Sequence, residues 1–423
     1  MKILFISLGC DKNLVDTEVM LGLLASRGYE MTDDERQADI IVINTCCFIH
    51  DAKEESIQNI LEMAEYKKSG QVKALIVTGC LAQRYRQEIL DEIPEVDEVL
   101  GTTAYDKILD VVDRALEGEQ GIILSDLNAL PVSGAKRLVT TGGHFAYLKI
   151  AEGCDKHCTY CIIPKIRGNF RSVPMERLIK EAKELAEQGV KELILVAQET
   201  TLYGKDLYGE KCLHRLVEEL CKIAGIRWIR ILYCYPEEIT DELIEVIKKE
   251  PKVCHYLDLP IQHASDSILK RMGRRTSKQE LTDIVKKLRK EIPDICLRTT
   301  LITGFPGETE DQHEELMQFV DEMEFVMPDQ IAEEVKEERQ ADLMELQQEI
   351  AFDNAENMIG REMLVMIEGK VADENAYVGR TYRDAPNVDG LIFINTEEEL
   401  ISGDFAKVKI TGALEYDLIG ELL

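Results

Sequence analysis

Residues 145–161 read Phe145-Ala-Tyr-Leu-Lys-Ile-Ala-Glu-Gly-Cys154-Asp-Lys-His-Cys158-Thr-Tyr-Cys161. The apolar run Phe145–Ala151 predicts a buried strand. The loop after it delivers three cysteines spaced C-x3-C-x2-C. Thiolates at this spacing wrap one face of a 4Fe–4S cube. A ferredoxin loop would read C-x2-C-x2-C-x3-C with a full ligand set, and zinc would ask for paired C-x2-C units and four ligands. The next cysteine in the chain is Cys212, so Cys154, Cys158 and Cys161 leave one iron open. An open iron accepts a chelating ligand, and the amino and carboxylate groups of S-adenosylmethionine (SAM) are suited to it. An iron–sulfur carrier without radical chemistry would have no use for that open corner.

Working downstream, the strand–helix unit repeats. Strands are expected at Glu192–Ala197, Arg227–Leu232, Tyr256–Leu259 and Ile295–Ile302, with helices between them, the first opened by Pro174. Successive βα units on this scale predict a TIM-like barrel, complete or partial. Gln198 and Glu199 follow one strand end, and Gln262 and His263 follow another. His263 suits either a place facing the substrate or an ordinary hydrogen-bonded role.

Working upstream, the apolar runs Lys2–Leu8, Ala38–Asn44 and Ala74–Thr78 are each followed by helical periodicity, at Leu14–Arg27, Asp51–Lys67 and Ala82–Leu90. That alternation predicts an open parallel sheet with flanking helices. Cys10, Cys46 and Cys80 each lie just past a strand's C-terminal end. In open α/β sheets those ends share the edge where ligands bind, so three thiols far apart in sequence should converge and hold a second cluster. Cys47 should point elsewhere beside Cys46. Cys212, Cys221, Cys234, Cys254 and Cys296 share no spacing and read as core.

The polar stretch Ser133–Gly143 reads as a linker, and a long, highly charged helix is expected from Pro328 to about Asn357. Beyond it, alternating segments at Met363–Ile367, Leu391–Ile394 and Ala406–Ile410 predict a small antiparallel β-barrel. The chain therefore divides into an N-terminal domain (1–135), a central domain (140–355) and a C-terminal barrel (356–423).

The 423 residues carry 80 acidic against 50 basic side chains, a formal charge of −30. Such a field repels phosphate backbones and favours basic partners. The 12 cysteines come with no signal-peptide pattern and no apolar run of membrane length. The expectation is a soluble cytoplasmic protein, not attached to a membrane, whose thiols serve as ligands or core rather than disulfides.

These six cysteines, in this order, resemble the methylthiotransferase family of radical SAM enzymes, and the match covers nearly the whole chain. It includes Leu8-Gly-Cys-Asp-Lys-Asn-Leu-Val-Asp16, Asn44-Thr-Cys-Cys-Phe48, Pro260-Ile-Gln-His-Ala264, Met272-Gly-Arg274 and Gly304-Phe-Pro-Gly-Glu308, and the final barrel looks like a TRAM domain. The resemblance implies two 4Fe–4S clusters. One, on Cys154, Cys158 and Cys161, would bind SAM, take an electron from an external donor and generate a 5′-deoxyadenosyl radical. The other, on Cys10, Cys46 and Cys80, would present sulfur, with a second SAM giving the methyl group. It also implies SAM contacts from Gln198 and Glu199 to the amino group, and from Arg298 and the Gly304–Glu308 turn to the ribose or adenine. Tyr160 would pack on the cluster or the adenine.

Within the family, Ala151-Glu-Gly-Cys-Asp-Lys-His-Cys158 and Tyr235-Pro-Glu-Glu238 are most similar to the branch that modifies an aspartate of small-subunit ribosomal protein twelve. The tRNA-modifying branch differs there. Met358–Leu423 holds 13 Asp/Glu against 6 Lys/Arg, which suits a basic ribosomal protein and argues against direct nucleic-acid binding. One departure stands out. The family carries a further strand and loop after Phe325, whereas here Glu324-Phe325-Val326 runs straight into Met327-Pro-Asp-Gln330, which would leave one edge of the central barrel open.

Overall fold

The computed structural model describes residues 1–130, 137–325, 334–372, 375–414 and 416–423. Six strands form the first sheet: β1 (Lys2–Ser7), β2 (Glu30–Thr32), β3 (Ile40–Thr45), β4 (Ala74–Thr78), β5 (Glu98–Leu100) and β6 (Gly121–Ile123). Their order is β2-β1-β3-β4-β5-β6 and every pairing is parallel. β3 and β4 are buried at every residue, as near-continuous Ile, Leu and Val runs covered on both faces must be. Helix α1 (Asp11–Ser26) and helix His50–Lys68 match the periodicity. The helix expected at Ala82–Leu90 is broken into Gly79–Tyr85 and Gln87–Glu92, because Arg86 takes a left-handed φ of 44°.

A second sheet contains β7 (Phe145–Lys149), β10 (Glu192–Val196), β11 (Trp228–Ile231), β12 (Val253–Asp258) and β13 (Cys296–Arg298). All pair in parallel and in chain order, as barrel winding requires. A two-stranded ribbon of β8 (Ala151–Glu152) and β9 (Arg171–Ser172) clasps the base of the cysteine loop. Among the described residues this sheet ends at β13, and the residues after Phe325 where the family's further strand would follow, 326–333, lie outside them. A cavity of about 360 Å³ borders β13, lined by Cys296, Met344, Ala355, Arg383 and Leu418 and by none of the six cysteines. The charged helix runs Glu334–Glu356.

The last five strands, β14 (Glu362–Lys370), β15 (Ala376–Arg380), β16 (Ile392–Asn395), β17 (Phe405–Leu414) and β18 (Asp417–Leu422), close into a barrel. Its pairings are antiparallel except β16–β18, which is parallel. The barrel docks on the second sheet through Glu192, which accepts from Arg230 at 2.8 Å and from Arg380 of the barrel at 2.9 Å, all three fully buried. Trp228 meets Phe405 edge-on at 4.8 Å beside them.

Part of the expected linker is an anchor. Arg137 is buried, bonding Glu18 of α1 at 2.7 Å, Glu181 at 2.6 Å and the Tyr147 carbonyl at 2.7 Å. No helix among the described residues is long and apolar enough to cross a membrane.

Candidate active site

The parallel register aligns Ser7 with Asn44 and Asn44 with Thr78. Strands β1, β3 and β4 are neighbours, so their ends form one row, and Cys10, Cys46 and Cys80 leave it two or three residues later. The row lies at the β1/β3 switch in strand order, the usual ligand crevice of an open α/β sheet. Cys10 caps the N-terminus of α1. Gly9, at φ +89°, lies so close to Cys46 that an added Cβ would be 3.0 Å from its sulfur. The three thiols are electrostatic neighbours: Cys46 of Cys10, and Cys80 of both. Burial raises Cys46 and pushes Cys80 up to about 12, so metal binding there displaces protons. Cys47 turns into the apolar cluster with Ile43, Leu75 and Val77.

The second trio sits on the loop between β8 and helix Ile163–Arg167. Gly153 has φ +81°, and a Cβ there would be 2.1 Å from the Asn169 carbonyl oxygen. The loop is held by Gly153 N–H to Gln198 Oε1 (2.8 Å), Cys154 N–H to the Gly168 carbonyl (3.2 Å) and Thr159 N–H to the Met272 carbonyl (2.9 Å). Burial pushes the Cys154 thiol up to about 12, with Cys161 and Cys158 as neighbours, and raises Cys161. We expect Gly153→Ala to lose the loop geometry, because the left-handed φ and a backbone clash act together. Iron bound on reconstitution should fall toward that of a one-cluster chain; full iron uptake would contradict this.

Glu199 and Arg298 bring unfilled polar atoms to the same end of the sheet. Glu199 is fully buried beside Cys154, and burial pushes its carboxyl up to about 8. Its Oε1 accepts from Thr201 at 3.0 Å, while Oε2 has no hydrogen-bond partner and Lys156 stands 3.9 Å away. Arg298 bonds Asp258 at 2.7 Å and leaves its buried Nε without a partner. Gln198 donates from its amide to Glu152 at 2.6 Å and accepts from Gly153, which fixes the start of the cysteine loop. His263 is buried, with Nδ1 accepting from Ser265 N–H at 2.9 Å. Gln262 takes φ 73°, and Tyr160 is half-exposed beside Cys158.

Sequence spacing gave no sign of the groups that complete this environment. The Tyr235 hydroxyl lies 3.7 Å from Cys158 Sγ, and its ring is covered by Arg274 at 4.3 Å and Lys156 at 4.9 Å. Tyr233, at φ 59°, donates to Asp11 at 3.1 Å, and Lys12 Nζ stands 3.2 Å over its ring. Between the trios lies a buried ionic network. Arg167 bonds Asp16 at 2.8 Å and Glu152 at 3.3 Å, and Lys149 pairs with both carboxylates. Burial alone would raise Glu152, but Lys149 and Arg167 hold it well below the usual carboxylate value.

Among the described residues no group of three His, Cys, Asp or Glu side chains is arranged round a single metal ion. A four-iron cube spreads its ligands over separate corners. Two trios of mutually neighbouring free thiols, with an orphaned carboxylate oxygen beside one of them, fit that group and not a mononuclear site.

Three family models match the chain: "Uncharacterized protein family UPF0004" over residues 2–101, "Radical SAM superfamily" over 148–320, and "TRAM domain" over 359–423. Among solved structures, the radical SAM methyltransferase TsrM from Kitasatospora setae aligns with TM-score 0.56 at 14% identity, covering 77% of this chain and 72% of that one. The cobalamin-dependent radical SAM enzyme OxsB aligns at 0.52 and 14%, covering 82% and 56%. At that identity they establish a shared fold. Curated relatives are much nearer. The ribosomal protein uS12 methylthiotransferase RimO of Lachnoclostridium phytofermentans is 64% identical over 99% of both chains, and that of Clostridioides difficile 48% over 100% of this chain and 99% of its own. The first alignment spans 437 positions against 423 residues, so at least 14 positions face a gap in this chain, in keeping with the stretch lacking after Phe325. With this identity along its whole length, and with radical SAM and TRAM models matching in sequence order, the chain belongs to the ribosomal protein uS12 methylthiotransferase RimO family of radical SAM enzymes.

Proposed function

We propose that this chain transfers a methylthio group to the β-carbon of an aspartate in ribosomal protein uS12, in the cytoplasm, using two 4Fe–4S clusters, SAM and an external electron donor. The auxiliary cluster is held by Cys10, Cys46 and Cys80 in a domain of residues 1–135. The SAM-binding cluster is held by Cys154, Cys158 and Cys161 in a core of residues 140–355. Residues 356–423 form the TRAM domain. The observation that carries this reading is the in-register row of β1, β3 and β4 ends, which faces the cysteine loop across Arg167.

No side chain can deprotonate an aspartate β-carbon, so the bond must be broken homolytically. When bound, SAM and the reduced cluster supply the 5′-deoxyadenosyl radical for that step, and the auxiliary cluster supplies sulfur. The chain's own part is placement. Gln198 and Gly153 fix the loop, Glu199 offers its free oxygen to the SAM amino group, and Arg298 offers its free Nε toward the nucleoside. Four of the six thiols are buried, and Cys10 and Cys161 are half-buried.

The exposed Glu397, Glu398 and Glu399 loop adds to the acidic barrel a surface for a basic ribosomal protein. We expect Glu199→Ala to weaken SAM binding by about tenfold or more, the weight of one charged hydrogen bond. Equilibrium dialysis of the reconstituted protein measures it, and unchanged affinity would remove Glu199 from the site.

The decisive experiment is anaerobic reconstitution followed by incubation with SAM, a reductant and a peptide carrying the uS12 aspartate loop. The expected products are 5′-deoxyadenosine and a peptide heavier by one methylthio group. Deoxyadenosine without modified peptide would move the substrate elsewhere, with tRNA the next to try.

A further inference from the structure

We infer that Arg167, a residue of the SAM-binding half, positions the auxiliary cluster and sets its reduction potential from across the domain boundary. This rests on the reading that Cys10, Cys46 and Cys80 hold that cluster.

Arg167 ends the short helix that follows the Cys154–Cys161 loop, and it is 2% exposed. Its two terminal nitrogens face different partners. NH1 is turned to Asp16 and Glu152, the carboxylates of the interdomain clamp. NH2 is turned to Cys80 Sγ, 3.5 Å away, and to Asn13 Oδ1. Asn13 in turn donates from Nδ2 to the carbonyls of Leu8 at 3.2 Å and Thr45 at 3.0 Å, the backbone that leads into Cys10 and Cys46. One guanidinium thus touches one ligand sulfur directly and braces the strand ends that carry the other two.

The charges around it balance without the cluster: Asp16 and Glu152 answer Arg167 and Lys149. A cation that is not consumed by an extra carboxylate, with an N–H aimed at a ligand sulfur, favours the more negative member of a redox pair. Hydrogen bonds to sulfur and local charge are the levers that set cluster potentials. The same network continues through Glu152 and Gln198 to Gly153, next to Cys154, so the two ligand loops are held in one frame.

The test uses the full chain with Cys154, Cys158 and Cys161 all replaced by alanine, so that only the auxiliary cluster is loaded. An EPR-monitored redox titration of its one-electron couple is compared for Arg167, Arg167→Lys and Arg167→Met. Arg167→Met should lower the reduced-to-oxidised ratio at a fixed poise at least tenfold, a shift of about 59 mV for one electron. Arg167→Lys, which keeps the charge but loses the fork, should fall between. Asp16→Asn breaks the clamp, leaves the Cys80 contact and removes a buried negative charge, so it should lower the melting temperature and move the potential, if it moves at all, upward and opposite to Arg167→Met. A potential unmoved in both Arg167 variants overturns the proposal, as does an equal downward shift in Asp16→Asn. If Arg167→Met does not fold, the lysine variant against Asp16→Asn decides. A triple-alanine chain that takes up no iron overturns the cluster reading itself, and the role of Arg167 falls with it.

Discussion

Cys154→Ala should reduce 5′-deoxyadenosine formation to background and halve the iron taken up on reconstitution, from about eight to about four per chain. The loss is total because a three-thiolate site has no spare ligand: two corners cannot hold the cube in the geometry that leaves one iron open for SAM. The fold should survive. The Cys154 backbone is held by Gly168, and its neighbour Gly153 by Gln198, and trading a sulfhydryl for a hydrogen costs about 1 kcal/mol in an average setting. The remaining iron would sit on Cys10, Cys46 and Cys80, which leave other strands of another sheet. Iron analysis, the cluster's visible absorbance and product chromatography read the three quantities separately. Full iron with wild-type deoxyadenosine output would exclude Cys154 as a ligand.

Much of this architecture was legible because it follows from long apolar runs. β3, β4 and β10 are five or six residues of buried, largely aliphatic sequence, and the helix after each gave the βα alternation. β2, β5 and β6 have three residues each, too few to show a period. The placement of Cys10, Cys46 and Cys80 at one sheet edge was also derivable, since parallel strands put all their C-terminal ends together. Arg167 was not. It meets Asp16 across 151 positions and Cys80 across 87, and no periodicity links residues whose contact depends on how two domains dock. Gln198 shows the same limit: its place after a strand end was readable, but its bonds to Glu152 and Gly153 were not, because only the folded loop brings those partners near. In the barrel the alternation was readable, but the parallel β16–β18 pair was not, because pairing direction depends on the path of the connection.

Glu192→Ala should be the most destabilising single change outside the cysteine sites. This carboxylate opens β10 and is fully buried between Arg230 at 2.8 Å and Arg380 at 2.9 Å. Arg380 belongs to the barrel, so the triad fastens the barrel to the core. Removing the anion leaves two buried guanidiniums facing each other. Arg380 retains Glu368 at 2.5 Å and the Asp384 carbonyl, and Arg230 retains the Tyr382 carbonyl at 2.9 Å, but neither cation keeps its central counter-charge. Breaking a buried pair in this way costs about 3–5 kcal/mol, which at this chain length corresponds to a fall of roughly 3–6 °C in Tm. Limited proteolysis should release the barrel early. The pH dependence gives an independent check. Burial alone would raise the Glu192 carboxyl, but Arg380 and Arg230 hold it below its ordinary value of 4.5. A depressed folded value means that this contribution is complete above that ordinary value and is lost as pH falls through the lowered one. Glu192→Gln keeps the shape, lacks the titration, and should therefore show a shallower acid limb than the parent chain. A Tm unchanged by Glu192→Ala, with matching acid limbs for parent and Glu192→Gln, would mean that the barrel is held by its apolar contacts around Trp228 and Phe405 instead.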